Sequence, residues 1–193
     1  MNLEEAIINR RANYPVQFSG EQVDDQLVER MLELANWAPT HKHTEPWRFQ
    51  VFSKDSLYRF IDVVIDVYTR ITPAKDFDSS FSIKMNERKK TVSHIVLIAM
   101  EPKPDVSLPE FEEISAVAMA VQNMWLYLSA QKGHGGYWST PEVLLSQTFH
   151  ESLNLGEEER CLGMFYVGKL MEPNPKGSGH RTAWKEKVKW HKI

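Results

Sequence analysis

The sequence predicts an α+β or α/β fold, with one sheet and helices packed on both of its faces. Stretches with helical spacing of apolar residues alternate with three or four extended apolar runs, and no internal repeat or low-complexity segment interrupts them. The 193 residues, 42% of them apolar, suit a single domain over 1–193 with a core that needs neither metal nor disulfide. Residues from about 174 to 193 read as a C-terminal arm, rich in Gly, Pro and charge before a short amphipathic end at Trp184–Trp190.

In order along the chain, Asn2 caps a first helix with Glu5 as its capping-box partner, and Pro15 stops it beyond Arg10-Arg11. A second helix runs from about Asp24 to Trp37, with Leu27, Met31, Leu34 and Ala35 on one face, and ends before Pro39. Trp47–Phe52 alternates as a strand, and Ser53 caps a third helix carrying Leu57, Phe60, Ile61 and Val64. Residues 73–90 are polar with weak periodicity, so an exposed helix or mobile cover is expected. Val92–Met100 reads as a buried strand and Glu110–Lys132 as a long helix, apolar on most sides. Gly133-His-Gly-Gly stops that helix, Tyr137–Thr140 is a short extended piece, Pro141 to about Phe149 is helical, and Met164–Gly168 is the last core strand.

A net charge of −3 supplies no basic excess for phosphate backbones, so nucleic-acid binding is not expected. The N-terminal MNLEEAIINRR lacks the apolar core of a signal peptide, and no run approaches the roughly 20 apolar residues that span a bilayer. The expectation is a soluble, cytoplasmic protein without membrane partners. The lone Cys161, inside an apolar run, reads as a buried structural thiol.

Residues 38–49, APTHKHTEPWRF, gather His41, His43 and Glu45 in one loop, and an extended chain would put all three on one side. No second ligand cluster accompanies them, so loop histidines are preferred to a metal site. No nucleophile elbow is present, and Gly133-His-Gly-Gly matches neither dinucleotide-binding nor P-loop patterns. Arg10-Arg11 can simply answer a helix dipole, or can fork onto a phosphate that Arg181 also reaches.

Taken in order, these pieces resemble the nitroreductase family of FMN-dependent NAD(P)H oxidoreductases. Arg10-Arg11 follows a short first helix, and Trp-Ala-Pro-Thr-His-Lys-His-Thr-Glu-Pro-Trp-Arg-Phe ends the second. The long helix then carries Gln122-Asn123, Gly-x-Gly-Gly-x-Trp spans 133–138, and Arg181 precedes Trp184-Lys-Glu-Lys-Val. The resemblance covers essentially the whole chain and is nearest to the small, minimal members. It implies an α+β fold with one mixed or antiparallel sheet flanked by helices, in an intertwined homodimer with FMN at the subunit interface.

The resemblance also implies roles. Arg10 and Arg181 clamp the FMN phosphate, with Arg11, Ala12 and Asn13 beside them. Pro39, Thr40, His41 and His43 line the flavin, His41 reaching into the other subunit's site, and Trp138, Ser139 and Thr140 follow the isoalloxazine edge. NAD(P)H is the co-substrate, a nitroaromatic or quinone the acceptor, and no side chain is assigned as general acid or base. Same-fold dehalogenation, flavin breakdown, or ligand binding without turnover are the alternatives. The departures are Ala12 for serine, Thr40 for serine, His43 for asparagine and Glu45 for glutamine; a glutamate beside a reduced flavin must turn outward or pair with Lys42 or Arg48.

Overall fold

The structure, a computed structural model, describes residues 2–173 and 179–191. Helix α1 (Leu3–Asn9) starts at a capping box in which Asn2 Oδ1 accepts the Glu5 N–H and Glu5 accepts the Asn2 N–H. A 3-10 turn at Pro15–Gln17 leads to α2 (Asp25–Ala35), capped by Asp24. Strand β1 (Trp47–Ser53) runs directly into α3 (Lys54–Ile71), where Ser56 Oγ accepts the Ser53 N–H at 2.9 Å. Then follow α4 (Ser79–Thr91), β2 (His94–Met100), α5 (Glu110–Ala130), β3 (His134–Ser139), α6 (Gln147–Ser152) and β4 (Arg160–Lys169).

The four strands form one antiparallel sheet in the order β1-β2-β4-β3. All seven residues of β2 are buried, as its unbroken apolar run requires of a strand covered on both faces. Val96 and Ile98 join Met31 of α2 and Val117, Val121 and Met124 of α5 on one side. On the other, Ile95 and Leu97 meet Phe60, Ile61 and Val64 of α3 and Met85 of α4. Each such large side chain, fully buried, contributes on the order of 1.5–3 kcal/mol.

Two expectations are corrected. Tyr137–Thr140 is no short piece: Gly133, at φ +78°, makes the turn alone, and β3 begins at His134. The extra length comes from Gly135 and Gly136, glycines that sequence assigns to a helix stop but that are strand residues in close contact. A Cβ on Gly136 would land on the Phe165 ring, and one on Gly135 would stand 2.8 Å from Asn13 Oδ1. Likewise β4 spans Arg160–Lys169, twice the predicted core strand, because a bulge at Leu162 shifts its register between Ile98 and Ala99 and lets it pair with β2 to the end.

Segment 73–90 contains α4, held by a stacked Tyr68–Phe81 pair, a Lys89–Asp62 bridge and Arg88 donating to the buried Tyr166 hydroxyl at 2.6 Å. It is a docked exposed helix rather than a cover. The expected helix from Pro141 to Phe149 divides into a 3-10 turn (Glu142–Leu145) and α6. Of the predicted arm, residues 174–178, 192 and 193 lie outside the described residues; 179–191 are exposed throughout, with one 3-10 turn at Trp184–Lys187. Among the described residues no helix is long and apolar enough to cross a membrane.

Cys161 is buried in the α3-side core, and burial pushes its thiol up to about 11. The unfolded chain ionises such a thiol near about 8.5, so between the two values the unfolded state holds fewer protons and folding stability falls as pH rises. The expected outcome is a native thiol unreactive to a disulfide reagent at pH 8 and fully reactive in denaturant. Gly136→Ala should cost about 1–3 kcal/mol through overpacking against Phe165, read as a lower urea midpoint at unchanged m-value.

Candidate anion and flavin site

Arg10 is the C-cap of α1, and its guanidinium lies 4.4 Å from the centroid of the Trp125 ring, a cation–π contact. Trp125 Nε1 donates to Arg11 O at 3.1 Å, so one α5 side chain holds both arginines. Arg11 Nη1 in turn donates to Ile8 O and Arg10 O, while Gly179 sits against its guanidinium so closely that a Cβ there would stand 2.7 Å from Cζ. Burial, then the positive charges of Arg181 and Arg11, lower the Arg10 pKa. Arg10 and Arg11 are partly buried and Arg181 is exposed, and the charges of the latter two reach Arg10. Such clustering of like charge is unfavourable alone and becomes favourable when an anion joins it.

The next residues fasten this cluster to the sheet. Ala12 is exposed, and Asn13 is buried with its N–H donating to Gly136 O at 3.0 Å. That bond uses the outer edge of β3. By the two-residue period of a strand, the Trp138 N–H and C=O face the same open edge. The side chains of Trp138 and Thr140 are turned the other way: both donate to Leu162 O, at 3.1 and 2.9 Å. Gly163, at φ +131°, makes room, since a Cβ there would stand 2.5–2.7 Å from Thr140 Oγ1, Trp138 Nε1 and Ser139 O. Ser139 pairs with Met164 at the end of the ladder.

The loop Pro39–Glu45 forms a second group. Its backbone is not extended: Lys42, His43 and Glu45 all have positive φ, 51°, 53° and 48°, at a cost of about 1–3 kcal/mol each. His41, His43 and Glu45 are thus not aligned on one side, which corrects the strand-like reading. His41 Nδ1 lies 2.6 Å from Glu112 Oε2 of α5. Among the described residues no three His, Cys, Asp or Glu side chains are placed to hold a metal ion. Arg48 Nε donates to Glu101 at 2.6 Å rather than to the Glu45 carboxylate, and Glu45 is exposed. Pro39, Thr40 and His41 border a shallow cavity of about 260 Å³ with Phe111, Glu112 and Met119. That is smaller than the roughly 300–1,000 Å³ of complete small-molecule sites.

The structure thus brings Asn13 to β3, with Arg10 and Arg11 on Trp125 beside it and the Arg181 charge reaching Arg10, but keeps Pro39, Thr40, His41 and His43 apart from them. The two groups hang on Trp125 and Glu112, thirteen residues apart in α5 and about 20 Å along its axis. Trp125 was missed by sequence reading, which counts it among core residues of an apolar helix; an indole N–H that needs a partner was the available signal.

The model of the Nitroreductase family matches residues 7–169. The chain belongs to the nitroreductase family. Among its relatives, YfhC of Bacillus subtilis, provisionally named an NAD(P)H nitroreductase, is 25% identical over 154 residues, 79% of this chain and 77% of that protein. A Rhodospirillum rubrum protein named 5,6-dimethylbenzimidazole synthase is 26% identical over 183 residues, 88% of this chain and 83% of its own. The solved structure of NfnB, an FMN- and NADPH-dependent nitroreductase from Sphigopyxis sp. strain HMH, superposes with a TM-score of 0.76 at 17% identity, covering 100% of both chains. The nitroreductase fold here is therefore the antiparallel four-stranded sheet with its two helical layers.

An anion at the arginine cluster should stabilise the fold by mass action. Inorganic phosphate at ten times its dissociation constant adds about 1.4 kcal/mol and raises the Tm. That rise should vanish in Arg181→Gln, whose Tm without phosphate is equal to or above wild type because a like charge is gone.

Proposed function

We propose that the chain is an FMN-dependent oxidoreductase that takes a hydride from NAD(P)H and delivers it to a nitroaromatic, quinone or similar small acceptor. The observation that carries this reading is the Trp125 anchor, which holds Arg10 by its ring and Arg11 by its indole N–H beside the open edge of β3, with the Arg181 charge reaching Arg10. A flavin phosphate suits such arginines, and the outward backbone N–H and C=O of Trp138 suit the polar rim of a ring system. The kinship with proteins whose names carry NAD(P)H and FMN supports it.

In this reading Arg10 and Arg181 hold the phosphate, with Arg11, Ala12 and Asn13 beside them. Trp138, Ser139 and Thr140 run along the isoalloxazine edge, where the outward N–H of Trp138 can meet the ring, and Pro39, Thr40, His41 and His43 border it. Bound FMN would supply the two-electron redox chemistry that links NAD(P)H to the acceptor. The Arg10 and Arg181 guanidinium groups would neutralise its phosphate, the edge N–H of Trp138 would favour negative charge on the ring, and no side chain is assigned as acid or base.

The same reading makes the protein an intertwined homodimer in which one FMN-binding domain spans the chain. The two half-sites, about 20 Å apart along α5, meet when a second copy brings its Pro39–His43 loop to the arginine cluster. Exposed apolar surface supports this: Phe111 and Met119 of α5 at 67% and 40%, Leu3, Ile7 and Ile8 of α1, and Trp184, Val188 and Trp190 of the arm. Apolar side chains exposed in this way suit burial against a second copy.

The purified protein should carry a flavin absorption band that survives desalting, sediment as a dimer, and oxidise NADPH with menadione or nitrofurazone present. FMN that elutes free, with the spectrum of free FMN, sinks the proposal. Arg10→Ala should weaken FMN binding about 10- to 100-fold, the loss of one charge-assisted bond of about 1.5–3 kcal/mol. A second chemistry is flavin breakdown: the product in the synthase's name is a dimethylbenzo ring bearing two nitrogens, a unit the isoalloxazine also contains, and the signature would be bleaching of that band by NADPH in air. Flavin reduction with no acceptor turnover would instead favour the ligand-binding alternative that Ala12 and Glu45 motivate.

A further inference from the structure

Glu113 is a carboxylate in the middle of packing. It is 4% exposed, on the side of α5 that faces the core, one residue beyond the Glu112 that meets His41. Thr44 Oγ1 donates to Glu113 Oε2 at 3.0 Å, and Glu113 Oε1 has no hydrogen-bond partner among the described residues. Thr44 Oγ1 is 2.9 Å from Thr40 Oγ1, which accepts the Glu45 N–H at 3.1 Å.

These contacts have only one consistent direction. A threonine hydroxyl has a single proton. Thr44 gives its proton to Glu113, so the proton between the two threonines belongs to Thr40. Thr40 donates outward to Thr44 and accepts from the Glu45 amide. The relay runs from Glu45 N–H through Thr40 and Thr44 to Glu113, and it crosses the base of the segment whose Lys42, His43 and Glu45 have positive φ. A non-glycine loop of that shape persists only where its surroundings hold it. Burying a carboxylate with one oxygen unsatisfied is unfavourable for folding, and its hydrogen bond to Thr44 offsets part of that.

We propose that Glu113 is a positioning residue for the flavin-facing loop: through Thr44 and Thr40 it holds Pro39–His43 in the shape that borders FMN. This rests on the FMN reading of the site. Its corollary is that the Thr40 hydroxyl is committed inward, so the loop meets the ring with backbone and with the rings of Pro39 and His41.

The test is FMN affinity by fluorescence quenching on the full chain, for wild type, Thr44→Val, Glu113→Ala and the double variant. A relay is one unit, so each single change should weaken FMN about tenfold, with the double no weaker than the worse single. Thr44→Ser, which keeps the hydroxyl, should regain most of what Thr44→Val loses. Without FMN, hydrogen exchange should show the Glu45 amide protected in wild type and in Thr44→Ser and open in Thr44→Val. Additive losses, or a lowered Tm with unchanged FMN affinity and unchanged exchange at Glu45, overturn the proposal. If Glu113→Ala does not fold, the Thr44→Val and Thr44→Ser pair decides alone. Wild type that fails to bind FMN removes the functional reading and this role with it; wild type that binds while Thr44→Val binds equally removes this role alone.

Discussion

The packing of α5 onto the sheet is the constraint on which the candidate site depends. Ala116, Val117, Ala120, Val121, Met124 and Leu128 form a stripe along this helix, buried against β2, β4 and α2. Small alanines on the stripe let the helix approach, and the larger residues between them interlock with Val96, Ile98 and Phe165. Once that face is set, the remaining positions of α5 have no freedom. Trp125 must present its ring to Arg10, and Glu112 and Glu113 must meet the Pro39–Glu45 loop.

What is attached to this spine is, by contrast, unfavourable for folding. The positive charges of Arg11 and Arg181 reach a partly buried Arg10, three non-glycine residues in one loop adopt positive φ, and a carboxylate is buried with one oxygen unmatched among the described residues. Domains hold a margin of only about 5–15 kcal/mol, so features of a kilocalorie or more each draw on a large part of it. They are tolerated because β2 itself is free of such conflicts: its seven consecutive residues are buried, and the one polar side chain among them, His94, lies 2.9 Å from both Ser93 Oγ and Asp25 Oδ1. Strain is thus segregated to the surfaces where ligand and partner would act.

How much of this was legible in the sequence differs by kind of residue. Periodicity located α2, α3 and α5 and strands β1 and β2, because each buries one face or both and apolar spacing records that directly. The candidate residues were legible as types in order along the chain, through the family pattern. Their grouping was not. Nothing in the spacing of Arg10 and His41 says that they hang on opposite ends of α5, because that follows from the register of a helix against a sheet. Gly135 and Gly136 misled for a related reason: a glycine that turns a helix and a glycine that admits a neighbour look alike, and only the Phe165 ring and the Asn13 amide tell them apart. The bulge at Leu162, and with it the anchoring of Trp138 and Thr140, is set by a cross-strand slip that local composition does not encode.

The separation of Glu112 and Trp125 also has an angular meaning. At about 100° per residue, thirteen residues bring the two positions roughly 140° apart around the α5 axis, as well as about 20 Å along it. The helix is therefore a phase-setting shaft with an arginine pair at one end and a strained loop at the other. Side-chain substitutions on its outer face leave that phase untouched. Inserting or deleting a single residue between the two ends would rotate one relative to the other by about 100° and break the buried stripe at once. In this protein the length of one helix, counted in residues, is itself part of the geometry that relates the two groups.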